Sequence, residues 1–111
     1  MKIISYISKS NSIFIDPNVT INSGVTNGYQ VEFKFQAKWP DNLKLYAIFK
    51  PVNDIPVKLE LDNNNCCTIP PQLYRRYSKL GIGVRGEYKN ESVVEEQATN
   101  LFYVPIVYSG S

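Results

Sequence analysis

The chain has 111 residues, with 12 Lys+Arg, 10 Asp+Glu, no His and a formal net charge of +2. One domain with one core is the expectation at this length, and 43% hydrophobic with 20% charged residues excludes wholesale disorder. The near-zero charge gives no electrostatic reason for nucleic acid or a membrane surface as the main partner, and the lack of His removes the commonest general base and every Ser-His or Cys-His arrangement.

The first fourteen residues contain Ile3, Ile4 and Ile7, but Ser5, Ser8, Lys9, Ser10 and Asn11 interrupt them. No apolar stretch suits a signal peptide, and no window approaches the roughly 18 apolar residues of a membrane helix. Cys66 and Cys67 are adjacent and would point to opposite faces of a strand, so both read as reduced thiols made in a reducing compartment. The glycosylation patterns Asn18-Val19-Thr20 and Asn90-Glu91-Ser92 are expected to be unused without a secretory signal.

The dominant pattern is alternation with period two. Lys2–Ile7 and residues 12–15 read as short edge strands, and Asp16-Pro17-Asn18 turns the chain before residues 19–21. Residues 29–36 form the clearest strand, with Val31, Phe33 and Phe35 on one face and Glu32, Lys34 and Gln36 on the other. Leu45, Ala47 and Phe49 repeat the pattern, and residues 57–62 alternate strictly. Asn63, Asn64 and Asn65 predict a hairpin turn, with Cys66–Ile69 as the return strand. Pro70 and Pro71 end it, and residues 71–74 suit a single helical turn. Leu80, Ile82 and Val84 then alternate with Gly81, Gly83 and Arg85, and the bare face invites a large side chain or another backbone to approach closely. Residues 87–100 are polar and predict a long loop. Residues 101–108 are the last strand, with Phe102, Val104 and Ile106 on one face and Pro105 marking an edge or a bulge. About seven short strands spaced by turn signals predict an all-β sandwich of two antiparallel sheets. Phe33, Phe35, Trp39, Phe49, Ile69, Leu80, Ile82 and Val84 are its expected core.

Candidate chemistry is thin. Glu95 and Glu96 are neighbours that a strand would point apart, so they cannot act as an acid/base pair. Cys66 and Cys67 lack the further Cys or His that a zinc site needs. Gly81-x-Gly83-x-x-Gly86 has the dinucleotide spacing but no following helix to hold a pyrophosphate. No cofactor, metal or catalytic set is therefore expected, and the chain reads as a non-enzyme. Tyr74, Arg75, Arg76 and Tyr77 form a small basic-aromatic cluster that a base or phosphate would suit, although a solvated loop is the simpler reading. Trp39 follows Phe33 and Phe35 at even spacing, a register that points it inward and not toward a sugar.

Taken in order, the inward residues read Val31-x-Phe33-x-Phe35-x₃-Trp39-x-Asp41-x-Leu43, then Ala47-Ile48-Phe49-Lys50. They continue as Cys67-Thr68-Ile69-Pro70-Pro71-x-Leu73 and Leu80-Gly81-Ile82-Gly83-Val84-x-Gly86, and close on Thr99-Asn100, Pro105 and Ser109-Gly110. Over residues 25–110 this string resembles the small immunoglobulin-like modules of tailed-phage virion proteins found in fibres, baseplates and head decorations. Pro40 after the Trp and the longer approach at residues 74–78 depart from the family pattern. The resemblance implies an immunoglobulin-like antiparallel sandwich of about seven strands acting as a structural or adhesive unit. Its implied partners are other phage structural proteins of the capsid, tail or fibre, in multiple copies per particle. The implied location is the virion, after synthesis in the host cytoplasm. Two other readings stand beside it: a carbohydrate-binding module for host-surface glycans, favoured by an exposed aromatic row in a concavity, and an intracellular effector that binds a host protein. Residues 1–21, with apolar Ile3, Ile4, Ile13 and Phe14, look separable and are the expected docking segment, against the alternative that they complete the sandwich.

Overall fold

The computed structural model describes residues 1–90 and 93–108. Among them lie ten strands: β1 Lys2–Ile7, β2 Ile13–Ile15, β3 Ile21–Asn22, β4 Tyr29–Phe35, β5 Lys44–Pro51, β6 Val57–Glu60, β7 Cys66–Ile69, β8 Lys79–Asn90, β9 Val93–Ala98 and β10 Phe102–Val107. A 3-10 turn at Pro71–Leu73 precedes β8, where the Pro-Pro pair predicts one. The chain is an all-β sandwich, as the alternation predicts, but with ten strands among the described residues where about seven are expected. The Asn90-Glu91-Ser92 pattern, the Glu95 side chain and Ser109-Gly110 fall outside the described residues.

One sheet is ordered β2-β1-β4-β7; the other is ordered β3-β10-β8-β5-β6, with β9 also paired to β8. Three expectations are corrected by this topology. First, β1 is not an edge strand. It lies between β2 and β4, and it runs parallel to β4 in the register Ile3↔Val31 to Ile7↔Phe35. Second, β6 and β7 are not a hairpin. Strand β6 pairs with β5, and β7 pairs with β4, so the Asn63–65 turn carries the chain from one sheet to the other. Its chemistry is that of a tight turn all the same, with Asn65 at φ 59° and the Asp62 carboxylate accepting the Asn64 amide at 2.8 Å. Third, residues 87–100 are mostly strand and not loop, because β8 runs on to Asn90 and pairs with β9. Pairing of β8 with β5 ends at Glu87, so the tip of the β8–β9 ribbon runs past the sheet. The molecule is accordingly long, 51 × 26 × 24 Å. Pro105 lies where β10 is locally an edge, as the proline predicts. The Ile106 amide donates to the Ser78 carbonyl at 2.9 Å, so the preceding proline nitrogen faces away from β8, where β3 has not yet begun to pair.

The registers define the inward rows. Ile3, Ser5 and Ile7 of β1 lie level with Val31, Phe33 and Phe35 of β4, and Ile13 and Ile15 continue the row on β2. Opposite them, Ala47 and Phe49 of β5 align with Val84 and Ile82 of β8, and Val104 aligns with Leu80. Seven of the eight expected core residues are buried; Phe35 is half-buried, edge-on to Trp39 with ring centroids 5.2 Å apart. Ser5 is the buried polar exception, and its hydroxyl has no partner.

Candidate functional site

Two sheet edges are partly closed by side chains. At β2, the Ile13 amide donates to the Asn100 side-chain oxygen at 3.0 Å, and Gln97 reaches across to Asn11 at 3.1 Å. At β7, the Cys66 amide donates to the Asp62 carboxylate at 2.9 Å, and the Asp62 amide donates back to the Cys66 carbonyl at 2.9 Å. These bonds occupy some of the groups an incoming strand would need, at one position of each edge.

The sequence-selected site residues divide between core and surface. Ile3 and Ile13 are only 3% and 4% exposed and belong to the core, Ile4 is half-buried, and Phe14 is exposed. The segment 1–21 is therefore woven into the sandwich, because its isoleucines supply the inward rows of β1, β2 and β3. Tyr74 is fully buried. Its hydroxyl donates to the Val25 carbonyl at 2.8 Å, and its ring meets that of Tyr29 edge-on at 5.6 Å. Burial, then the neighbouring Tyr29, pushes the Tyr74 phenol above its ordinary range. Arg75 and Arg76 remain exposed, while Tyr77 donates its hydroxyl to the Asp54 carboxylate. That bond lowers the Asp54 carboxyl and raises the Tyr77 phenol. The basic-aromatic cluster is thus broken up, with Tyr74 turned inward and Tyr77 occupied.

The thiols behave as the adjacent pair predicts. Both are free, Cys66 buried beside Glu32 in the register and Cys67 half-buried level with Val31. Burial raises both thiols above their ordinary range, which favours the inert protonated form. Among the described residues, no group of three or more His, Cys, Asp or Glu is placed to hold a metal ion.

The outer face of the β8-containing sheet is an ion-pair lattice. Lys44 meets Glu60 at 2.9 Å, Lys58 meets Glu87 at 2.9 Å, and Arg85 meets both Glu87, at 3.0 Å, and Glu96. Lys58 also sits 4.6 Å from the Tyr46 ring centroid. Solvated pairs of this kind contribute at most about 1 kcal/mol each. Beside the lattice, the bare glycines of β8 are covered as their spacing predicts. A Cβ at Gly83 would lie 2.9 Å from Leu101 Cδ2, and one at Gly81 would lie 3.0 Å from the Tyr103 ring. Tyr103, Pro105 and Val107 then form an exposed apolar row along β10.

The outer face of the other sheet carries a different surface. Tyr6 is level with Phe14 across β1–β2 and with Lys34 across β1–β4, so the three share one outward patch. Tyr6 and Phe14 are 50% and 54% exposed. The Phe14 ring is held edge-on by Phe102 with centroids 6.0 Å apart. Between and beyond the two aromatics lies a groove of about 430 Å³, also lined by Ser8, Ser12, Lys34 and Gln36. Phe14 is visible in the sequence as an apolar residue of the opening segment. Tyr6 is the residue that composition alone misses, although its alternation with Ser5 and Ile7 marks it as outward.

No protein-family model matches the sequence, and no curated protein matches it. Among solved structures the chain is similar to the N-terminal domain of phage TP901-1 ORF48, with a TM-score of 0.61 and 11% sequence identity. The likeness covers 95% of this chain and 97% of that one, so the two share a fold from end to end.

Proposed function

We propose that the protein is a non-enzymatic structural component of a tailed-phage particle, an immunoglobulin-like accessory module docked onto a capsid, tail or fibre protein. The observation that carries this reading is the end-to-end fold likeness to a domain of a phage protein. The sequence resemblance to phage virion modules supports it independently. The exposed apolar row Tyr103, Pro105 and Val107 is the sheet face best suited to docking. One weak contact suffices where many copies share a particle, because effective concentration multiplies it. Immunogold electron microscopy of purified particles tests the reading. Label at a fixed position on each particle supports it. Bare particles from lysates rich in the protein would contradict it and favour the intracellular effector.

A further inference from the structure

We propose that the groove beside Tyr6 and Phe14 binds a saccharide that carries an anionic group. The groove, about 430 Å³, falls within the few-hundred-Å³ range of small-ligand sites, and the half-exposed rings of Tyr6 and Phe14 line it together with Phe35, Ile7 and Ile13. A pyranose ring has the matching amphipathic form, an apolar C–H face surrounded by hydroxyls. Ser12 and Gln36 supply hydroxyl and amide groups at the groove wall for such a rim, beside the Ser8 hydroxyl, which accepts the Ser12 amide at 3.1 Å. The platform is fixed before any ligand arrives. Phe102 holds the Phe14 ring edge-on, and the β1 register sets Tyr6 level with both Phe14 and Lys34.

Charge then selects among sugars. Lys34 is the single charged side chain lining the groove, and no carboxylate lines it. Glu32, the nearest acid along the same face of β4, is engaged by Lys2 at 3.2 Å. An anionic substituent on the sugar therefore meets an unopposed ammonium group. Other occupants fit less well. A partner strand at the β2 edge would first have to displace Asn100, which already takes the Ile13 amide. A nucleic acid needs a row of cations, and the groove offers one. The inference does not depend on the proposed particle docking, which uses the opposite face of the sandwich.

The test is an NMR titration of the ¹⁵N-labelled full chain with glucose, galactose, their 6-phosphates and the corresponding uronic acids. The expected result is saturable amide shifts around Tyr6, Ser8, Phe14 and Gln36 for a phosphorylated or carboxylated sugar. Its neutral parent should bind about tenfold more weakly, as one lost charge-assisted contact implies. Phosphate against carboxylate distinguishes the two sources of the anion. Tyr6→Ala and Phe14→Ala should abolish the shifts, and Lys34→Gln, a surface change that leaves the rings in place, should erase the preference for the anion. The absence of saturable shifts with every sugar in the set overturns the proposal. So do shifts centred elsewhere, binding that survives both aromatic substitutions, or equal binding of neutral and anionic partners.

Discussion

The indole of Trp39 lies over Gly86. A Cβ built on Gly86 would stand 3.2 Å from Trp39 Cε3 and 2.9 Å from Leu43 Cδ1, so the glycine of β8 makes the space that the tryptophan fills. Phe35 closes the other side edge-on. Trp39→Ala should cost about 3–5 kcal/mol, as large aromatic truncations in cores do. Gly86→Ala should cost about 1–3 kcal/mol by overpacking, since the indole and Leu43 Cβ, also 3.2 Å away, cannot rotate aside. Urea denaturation of both variants checks this. A loss below about 1 kcal/mol for Trp39→Ala would show that the packing is not what holds this end of the sandwich.

Ser5 offers the opposite outcome. It is fully buried on the inward row between Phe33 and Ile15, with no hydrogen-bond partner for its hydroxyl. Removing a buried, unpaired hydroxyl should be neutral or stabilising, so Ser5→Ala is expected to raise stability by up to about 1 kcal/mol. Thermal unfolding decides it, and a clear loss would reveal a partner for the hydroxyl.

Strand faces are legible in this sequence and strand partners are not. Alternation at Val31, Phe33 and Phe35, and again at Leu80, Ile82 and Val84, gives the inward rows correctly because burial imposes the period directly. Alternation is silent on who pairs with whom, since any neighbour with the same period satisfies it. The parallel β1–β4 pair joins residues nearly thirty positions apart, and nothing local announces it. The Asn63–65 turn misleads for a related reason. Asparagines that tolerate positive φ serve a turn between sheets as well as one within a hairpin. The β8–β9 ribbon reads as loop because much of it lies beyond the sheet, where no core demands an apolar face. The candidate groove is half legible. Phe14 stands out, whereas Tyr6 gains meaning only once β2 and β4 are set on either side of β1.

Tyr74 should make the fold sensitive to alkali. Burial raises its phenol in the folded state, so the folded chain holds this proton more tightly than the unfolded chain. The stabilisation is full below the unfolded value, near pH 10, and is lost as pH rises above it. Tyr77, raised by its bond to Asp54, titrates in the same direction. Melting temperatures from pH 7 to 11 should hold level and then fall. Tyr74→Phe should cost about 1 kcal/mol at neutral pH, for the lost bond to Val25, yet show a shallower alkaline decline than Tyr77→Phe. Identical alkaline curves for both variants would exclude Tyr74 as the main cause.

Deleting residues 1–15 should unfold the remainder. The deletion takes out β1 and β2, exposes the edge of β4, and removes Ile3, Ile7, Ile13 and Ile15 from the core. The truncated chain should lose cooperative thermal unfolding and the dispersed NMR spectrum of a packed sandwich. A truncated chain that melts cooperatively would restore the view of this segment as a detachable arm.

The most direct test of particle membership is quantitative mass spectrometry of phage through successive gradient purifications. A structural component keeps a constant ratio to the major capsid protein at every step, and the account expects that constancy. A ratio that falls toward zero while the lysate retains the protein would contradict it.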